Sequence, residues 1–95
     1  MKTITKSKLE KYYIITNKAL EIAKKSAEKE TKKGKGQQAK EIFLMVECYL
    51  KDAKYFQNKK NFVNSFGCLN YAHGWLDAGA RLKIFKVKDN KLFAV

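Results

Sequence analysis

The chain is 95 residues long, 45% hydrophobic and 13% aromatic, with a formal net charge of +12. That length holds one domain, and the apolar content excludes a disordered tail despite the charge. The chain has no proline and only five glycines, which favours long uninterrupted helices, because proline removes a backbone donor and clashes in a helix interior.

Among the 21 basic residues only Arg81 is arginine. Base-edge readout and bidentate phosphate clamps favour the planar guanidinium. A lysine coat therefore reads first as a solvated surface, of the Lys/Glu-rich kind common in thermophile proteins. Attraction to polyanions is the competing reading. Cys48 and Cys68 form no C-x-x-C pair and have only His73 for company. They read as free, buried, small apolar residues, and neither a metal nor a cofactor is expected. The segment MKTITKSKLEKYY lacks the apolar centre of a secretion signal, and the longest apolar run, Ile42–Val46, is too short to span a membrane. A cytoplasmic protein with no membrane partner is the expectation.

The first helix is expected from about residue 7 to about 31. Ser7 and Glu10 fit a capping box, and Leu9, Tyr13, Thr16, Leu20, Ala23 and Ala27 form one apolar stripe at spacings of four and three. Thr31–Gln37, TKKGKGQ, reads as a solvated linker and the most mobile segment. The second helix is expected from about 38 to 58, with Ala39, Ile42, Val46, Tyr49, Ala53 and Phe56 in its stripe. Asn58–Asn61 makes a turn, and Asn61 is a suitable N-cap. The third helix is expected from 62 to about 82. It carries almost no charge: between Asn61 and Ala80 the only charged residue is Asp77. Phe62, Phe66, Leu69, His73, Leu76 and Ala80 line one face, and Tyr71, Trp75 and Ala78 the opposite one. Gly67, Gly74 and Gly79 suggest close approach of neighbouring backbones, since each glycine weakens a helix by about 1 kcal/mol relative to alanine. Residues 83–95 read as an extended tail with a turn at Asp89-Asn90. The economical arrangement has the tail apolar residues and the Tyr71/Trp75 face covering each other; the rival has a second protein chain on that face. Short connections make the fold an all-α, up-down-up three-helix bundle, spectrin-repeat-like, with a short extended C-terminal tail.

Three strings carry a family resemblance: DAKYF at Asp52–Phe56, FGCLNYAHGWLDAGARL at Phe66–Leu82, and IFKV and LFAV in the tail. Together they resemble an archaeal family of small α-helical proteins, the domain of unknown function 357. The resemblance covers about residues 9–95 and is densest from 52 to 82. It implies a three-helix bundle in an archaeal cytoplasm and implies no activity. Relatives are expected to have glycine where this chain has Lys83, at a position where helices commonly end on glycine.

Two constellations are candidates for chemistry or recognition. Asn70, His73, Asp77 and Arg81 lie on one flank of the third helix, with His73–Asp77 and Asp77–Arg81 at i,i+4 spacing; Asp52 is a candidate to join them from the second helix. Asp77 orienting His73 as a general base, with Arg81 holding an anionic substrate, is the enzymatic reading. A self-satisfying polar network is the structural reading, favoured because no nucleophile accompanies the set. The second constellation is a candidate interface of Tyr71, Trp75, Phe85 and Phe93. The function expected is a non-enzymatic protein-interaction or self-associating module, as a homodimer or with a protein partner. One alternative is a nucleic-acid-associated protein: residues 1–40 hold twelve lysines against four glutamates, and such binding weakens steeply with salt. The other is a small-ligand or enzyme site around Asp77 and His73.

Overall fold

The computed structural model describes residues 3–29 and 34–94. Its helices are α1 (Lys6–Glu28), α2 (Lys35–Asn58) and α3 (Phe62–Arg81), followed by an irregular tail. Side-chain pairs give their directions. Tyr13 lies beside Lys54, and Lys24 beside Glu47, so α1 and α2 are antiparallel. The Ser65 hydroxyl donates to the Ala53 carbonyl and Tyr49 stacks on Tyr71, so α2 and α3 are antiparallel too. The expected up-down-up bundle is therefore the fold, drawn out to 46 × 23 × 17 Å.

The core follows the stripes. Leu9, Leu20, Ile42, Val46, Leu50, Leu69 and Leu76 are buried, with Phe85 and Phe93 from the tail. Packing is most extensive between α2 and α3. Ala39, Val46 and Ala53 on one helix, and Ala72, Gly79 and Ala80 on the other, are small enough to let the axes approach. Part of the lysine coat covers aromatic edges: Lys54 Nζ lies 4.8 Å from the Tyr13 ring centre and Lys8 Nζ 5.3 Å from that of Phe66. Long lysine stems can cover apolar surface while keeping the charge in water.

The helix ends differ from expectation at two places. The N-cap of α1 is Thr5, not Ser7: its backbone is extended and its hydroxyl accepts from the Lys8 amide at 3.1 Å, which places Ser7 inside the helix. The helix α2 begins at Lys35, three residues early, so Gly36 is helical; Gly34 precedes it at φ +87°, a conformation glycine adopts without strain. The expected end of the first helix at Thr31 and the first part of the linker lie outside the described residues. Asn61 caps α3 as expected, accepting from the Asn64 amide at 3.2 Å.

Both α2 and α3 close with paired Schellman hydrogen bonds. Lys83 and Ile84 donate to Ala80 and Gly79, and Lys60 and Asn61 to Gln57 and Phe56. That motif needs a left-handed residue, here Lys60 at φ 59° and Lys83 at φ 58°. Lysine thus occupies the position at which glycine costs nothing.

The tail corrects the expected covering of Tyr71 and Trp75. It turns away from that face and drops Phe85 onto Gly79, where the ring also stacks on Phe43 at 5.6 Å. A Cβ on Gly79 would overlap Phe85 Cε2 and Cζ and lie 3.0 Å from Ile42 Cδ1. Gly67 and Gly74 are not sites of close approach, since a Cβ on either meets nothing within 4 Å. Further on, the Ser26 hydroxyl donates to the Lys86 carbonyl at 2.6 Å and accepts from the Lys86 amide at 2.9 Å, tying the tail to α1. The expected turn forms beyond Asp89, whose carboxylate accepts from the Lys91 and Leu92 amides.

Overpacking predicts that Gly79→Ala destabilises the protein by about 1–3 kcal/mol in urea unfolding. Gly74→Ala, in open space, should instead gain about 0.5–1 kcal/mol. Lys83→Gly should relieve the left-handed strain and gain about 1 kcal/mol.

Candidate functional site

His73 stands where α1, α3 and the tail meet. Its Nε2 lies 2.5 Å from the Leu92 carbonyl oxygen, which can only accept, so this nitrogen donates. Its Nδ1 lies 3.2 Å from the Thr16 hydroxyl, which is almost fully buried on α1 and donates to it when the ring is neutral. Asp77 completes the cluster. Its Oδ1 accepts from the Ala94 amide at 2.9 Å and sits 3.7 Å from His73 Nε2. Two side chains on α3 therefore hold the last turn of the tail, while Thr16 holds the ring from α1. No buried side-chain nitrogen or oxygen lacks a partner among the described residues, as a low-dielectric interior requires.

The remaining residues of the polar flank divide. Asn70 lines the same groove as His73 and Asp77, a space of about 340 Å³ between α1, α3 and the tail, bounded also by Tyr12 and Lys91. Arg81 is exposed and lies away from that groove; the two ion pairs among the described residues are Lys24–Glu47 and His73–Asp77, so the expected Asp77–Arg81 pair does not form. Asp52 is exposed on α2 and is not among the hydrogen-bond or ion-pair partners of His73; its charge acts on Cys68. A general base needs a ring nitrogen free to take a proton, and both nitrogens of His73 are engaged within the fold. The arrangement is that of a clamp.

Thr16 is the partner that periodicity conceals. It occupies an apolar stripe position, and the signal available was a hydroxyl in that stripe facing the one histidine. The Leu92 carbonyl and Ala94 amide are backbone groups and have no side-chain signature.

The candidate interface residues also divide. Phe85 and Phe93 are buried in the chain's own core, their rings 6.3 Å apart. Tyr71 and Trp75 are exposed, at 64% and 38%. Tyr71 stacks on Tyr49 of α2 at 5.4 Å. Ala78 and Leu82 continue the line at i+7 and i+11 from Tyr71, and both are exposed. The outer side of α3 thus carries a part-exposed apolar stripe, with Tyr71 stacked on α2 and more than half of Trp75 covered.

Among the described residues no three His, Cys, Asp or Glu side chains are grouped to hold a metal ion, and no helix is long and apolar enough to cross a membrane. Both cysteines are free, but Cys48 is exposed where burial was expected; only Cys68 is partly covered. Burial pushes the Cys68 thiol above its ordinary range, and the Asp52 charge adds to the effect.

Replacing His73 by alanine should cost about 1–3 kcal/mol of stability, because it leaves the Thr16 hydroxyl without its acceptor. Amide exchange at Ala94 should accelerate more than exchange within α2. At neutral pH a maleimide should label Cys48 well before Cys68, since the thiolate is the reactive species; equal rates would contradict the placement of Cys68.

No curated protein and no solved structure matches the chain. Residues 11–85 match the family described as "Protein of unknown function (DUF357)", and the chain belongs to that family.

Proposed function

We propose that the protein is a non-enzymatic interaction module of the cytoplasm that associates with a second copy of itself through the outer stripe of α3. The observation that supports this reading is the stripe of Tyr71, Trp75, Ala78 and Leu82, exposed on a helix free of lysine in a chain of net charge +12. A two-fold contact sets each residue against its own copy or near it. Any lysine on such a face would meet another lysine. The outer stripe of α3, flanked by cations only at its Leu82 end, by Arg81 and Lys83, is where two copies of this cationic chain meet least of that repulsion. Tyr and Trp are also the side chains that most often anchor protein interfaces.

A second reading rests on the α1 end of the molecule. Lys6, Lys8, Lys11, Lys18 and Lys25 are exposed there, a distribution that suits contact with nucleic-acid phosphates. Salt separates the two. Self-association of like-charged copies strengthens as salt screens their repulsion, whereas phosphate binding weakens.

Sedimentation equilibrium or light scattering across protein concentration should show a dimer that tightens as salt rises. Trp75→Ala should weaken it by about tenfold or more, as expected for an interface hot spot. A monomer at all concentrations in high salt would overturn the proposal, and RNA or DNA binding lost with salt would favour the second reading.

A further inference from the structure

Where α3 ends, the chain leaves a shallow cavity of about 550 Å³. Its partly exposed apolar residue is Val87, with the fully buried Phe85 behind it, and its rim is Arg81, Lys83, Lys86 and Lys88. No carboxylate lines it. The nearest acids in sequence are turned to other work: Asp89 caps the amides of Lys91 and Leu92, and Asp77 accepts from Ala94. The only arginine of the chain is on this rim.

The walls are held in place. Lys83 is fixed by the Schellman bonds closing α3, in a left-handed conformation that disfavours any side chain. The Lys35 ammonium donates to the Lys83 carbonyl at 2.8 Å and brings a further cation to the edge. Lys86 is pinned at both backbone groups by Ser26. The backbone carrying Lys83 and Lys86 is thus ordered, four cations line one cavity with no carboxylate among them, and the fork of Arg81 matches phosphate oxygens.

We propose that this cavity binds a mononucleotide carrying two or three phosphates. The phosphates lie on Arg81, Lys83, Lys86 and Lys88, and the base against Val87. A single carboxylate on an acyl chain would leave most of the rim charge unmatched. A nucleic-acid strand would need a continuous track, and this is a bounded hollow. The site is separate from the Tyr71/Trp75 stripe.

The test is titration of the full-length protein with ATP at about 0.15 M salt, where long-range attraction is screened, read by amide chemical shifts and calorimetry. Tripolyphosphate, adenosine and octanoate are titrated in parallel. The expected result is shifts confined to residues 80–88, and ATP affinity about tenfold above that of tripolyphosphate, one decade per about 1.4 kcal/mol. Arg81→Gln and Lys86→Gln should each weaken ATP by roughly tenfold. Lys18→Gln, which removes the same charge from α1, should change it by less than about twofold, as for an exposed and screened group. Thermal melts confirm that each variant is folded. The proposal is overturned if ATP does not bind, if tripolyphosphate binds as well as ATP, if octanoate binds better, or if Lys18→Gln weakens ATP as much as Arg81→Gln.

Discussion

The contact on which the arrangement depends is that of the Phe85 ring with the bare backbone of Gly79. A residue with a Cβ at that position would collide with the ring. Once Phe85 is seated, it is fully buried and touches Phe43 and Phe93, so the tail becomes part of the core. Burying a phenylalanine side chain is worth about 1.5–3 kcal/mol, a large share for a domain of this size. The His73–Asp77 clamp then holds the end of the tail through Leu92 and Ala94. The one histidine of the chain is thereby absorbed into the fold.

What the tail covers decides what stays open. It starts against α2, with Phe85 on Gly79 and Phe43, and continues to the α1 side of α3, tied to Ser26 and His73. The opposite side, with Tyr71, Trp75 and Leu82, is left to solvent. A helix that is apolar nearly all round is normally buried nearly all round. Here the third helix has two neighbours and a tail, and these account for one side of it. The lysine coat explains why the remainder is tolerable in a single chain: like charge keeps copies of the protein apart.

The helices and most core positions were legible because burial imposes a period on the sequence. Leu9, Val46, Leu69 and Leu76 sit in stripes and are buried for that reason. The cap at Asn61 was legible because it stands alone before an apolar run. Thr5 was obscured because Ser7 and Glu10 imitate a capping box one half-turn later. The start of α2 was hidden by Gly34 and Gly36, which look alike in sequence but fall on either side of the helix boundary. The side chosen by the tail was not legible at all, since α3 offers apolar residues on both faces. Gly79 decides it, and three glycines in one helix do not say which is crowded. For the polar flank, i,i+4 spacing correctly joined His73 to Asp77 but also suggested Arg81. Spacing permits a contact; it does not show that Asp77 will prefer an amide from the tail.

Trp75 is the only tryptophan, so its fluorescence reports directly on whether the tail leaves the outer face of α3 open. The decisive measurement is acrylamide quenching of dilute, monomeric protein, compared with a Phe85→Ala variant whose tail is loosened. The account predicts that Trp75 is readily quenched in the parent protein and that loosening the tail barely changes it. A protected Trp75 in the monomer that becomes accessible only in Phe85→Ala would mean that the tail covers this face after all.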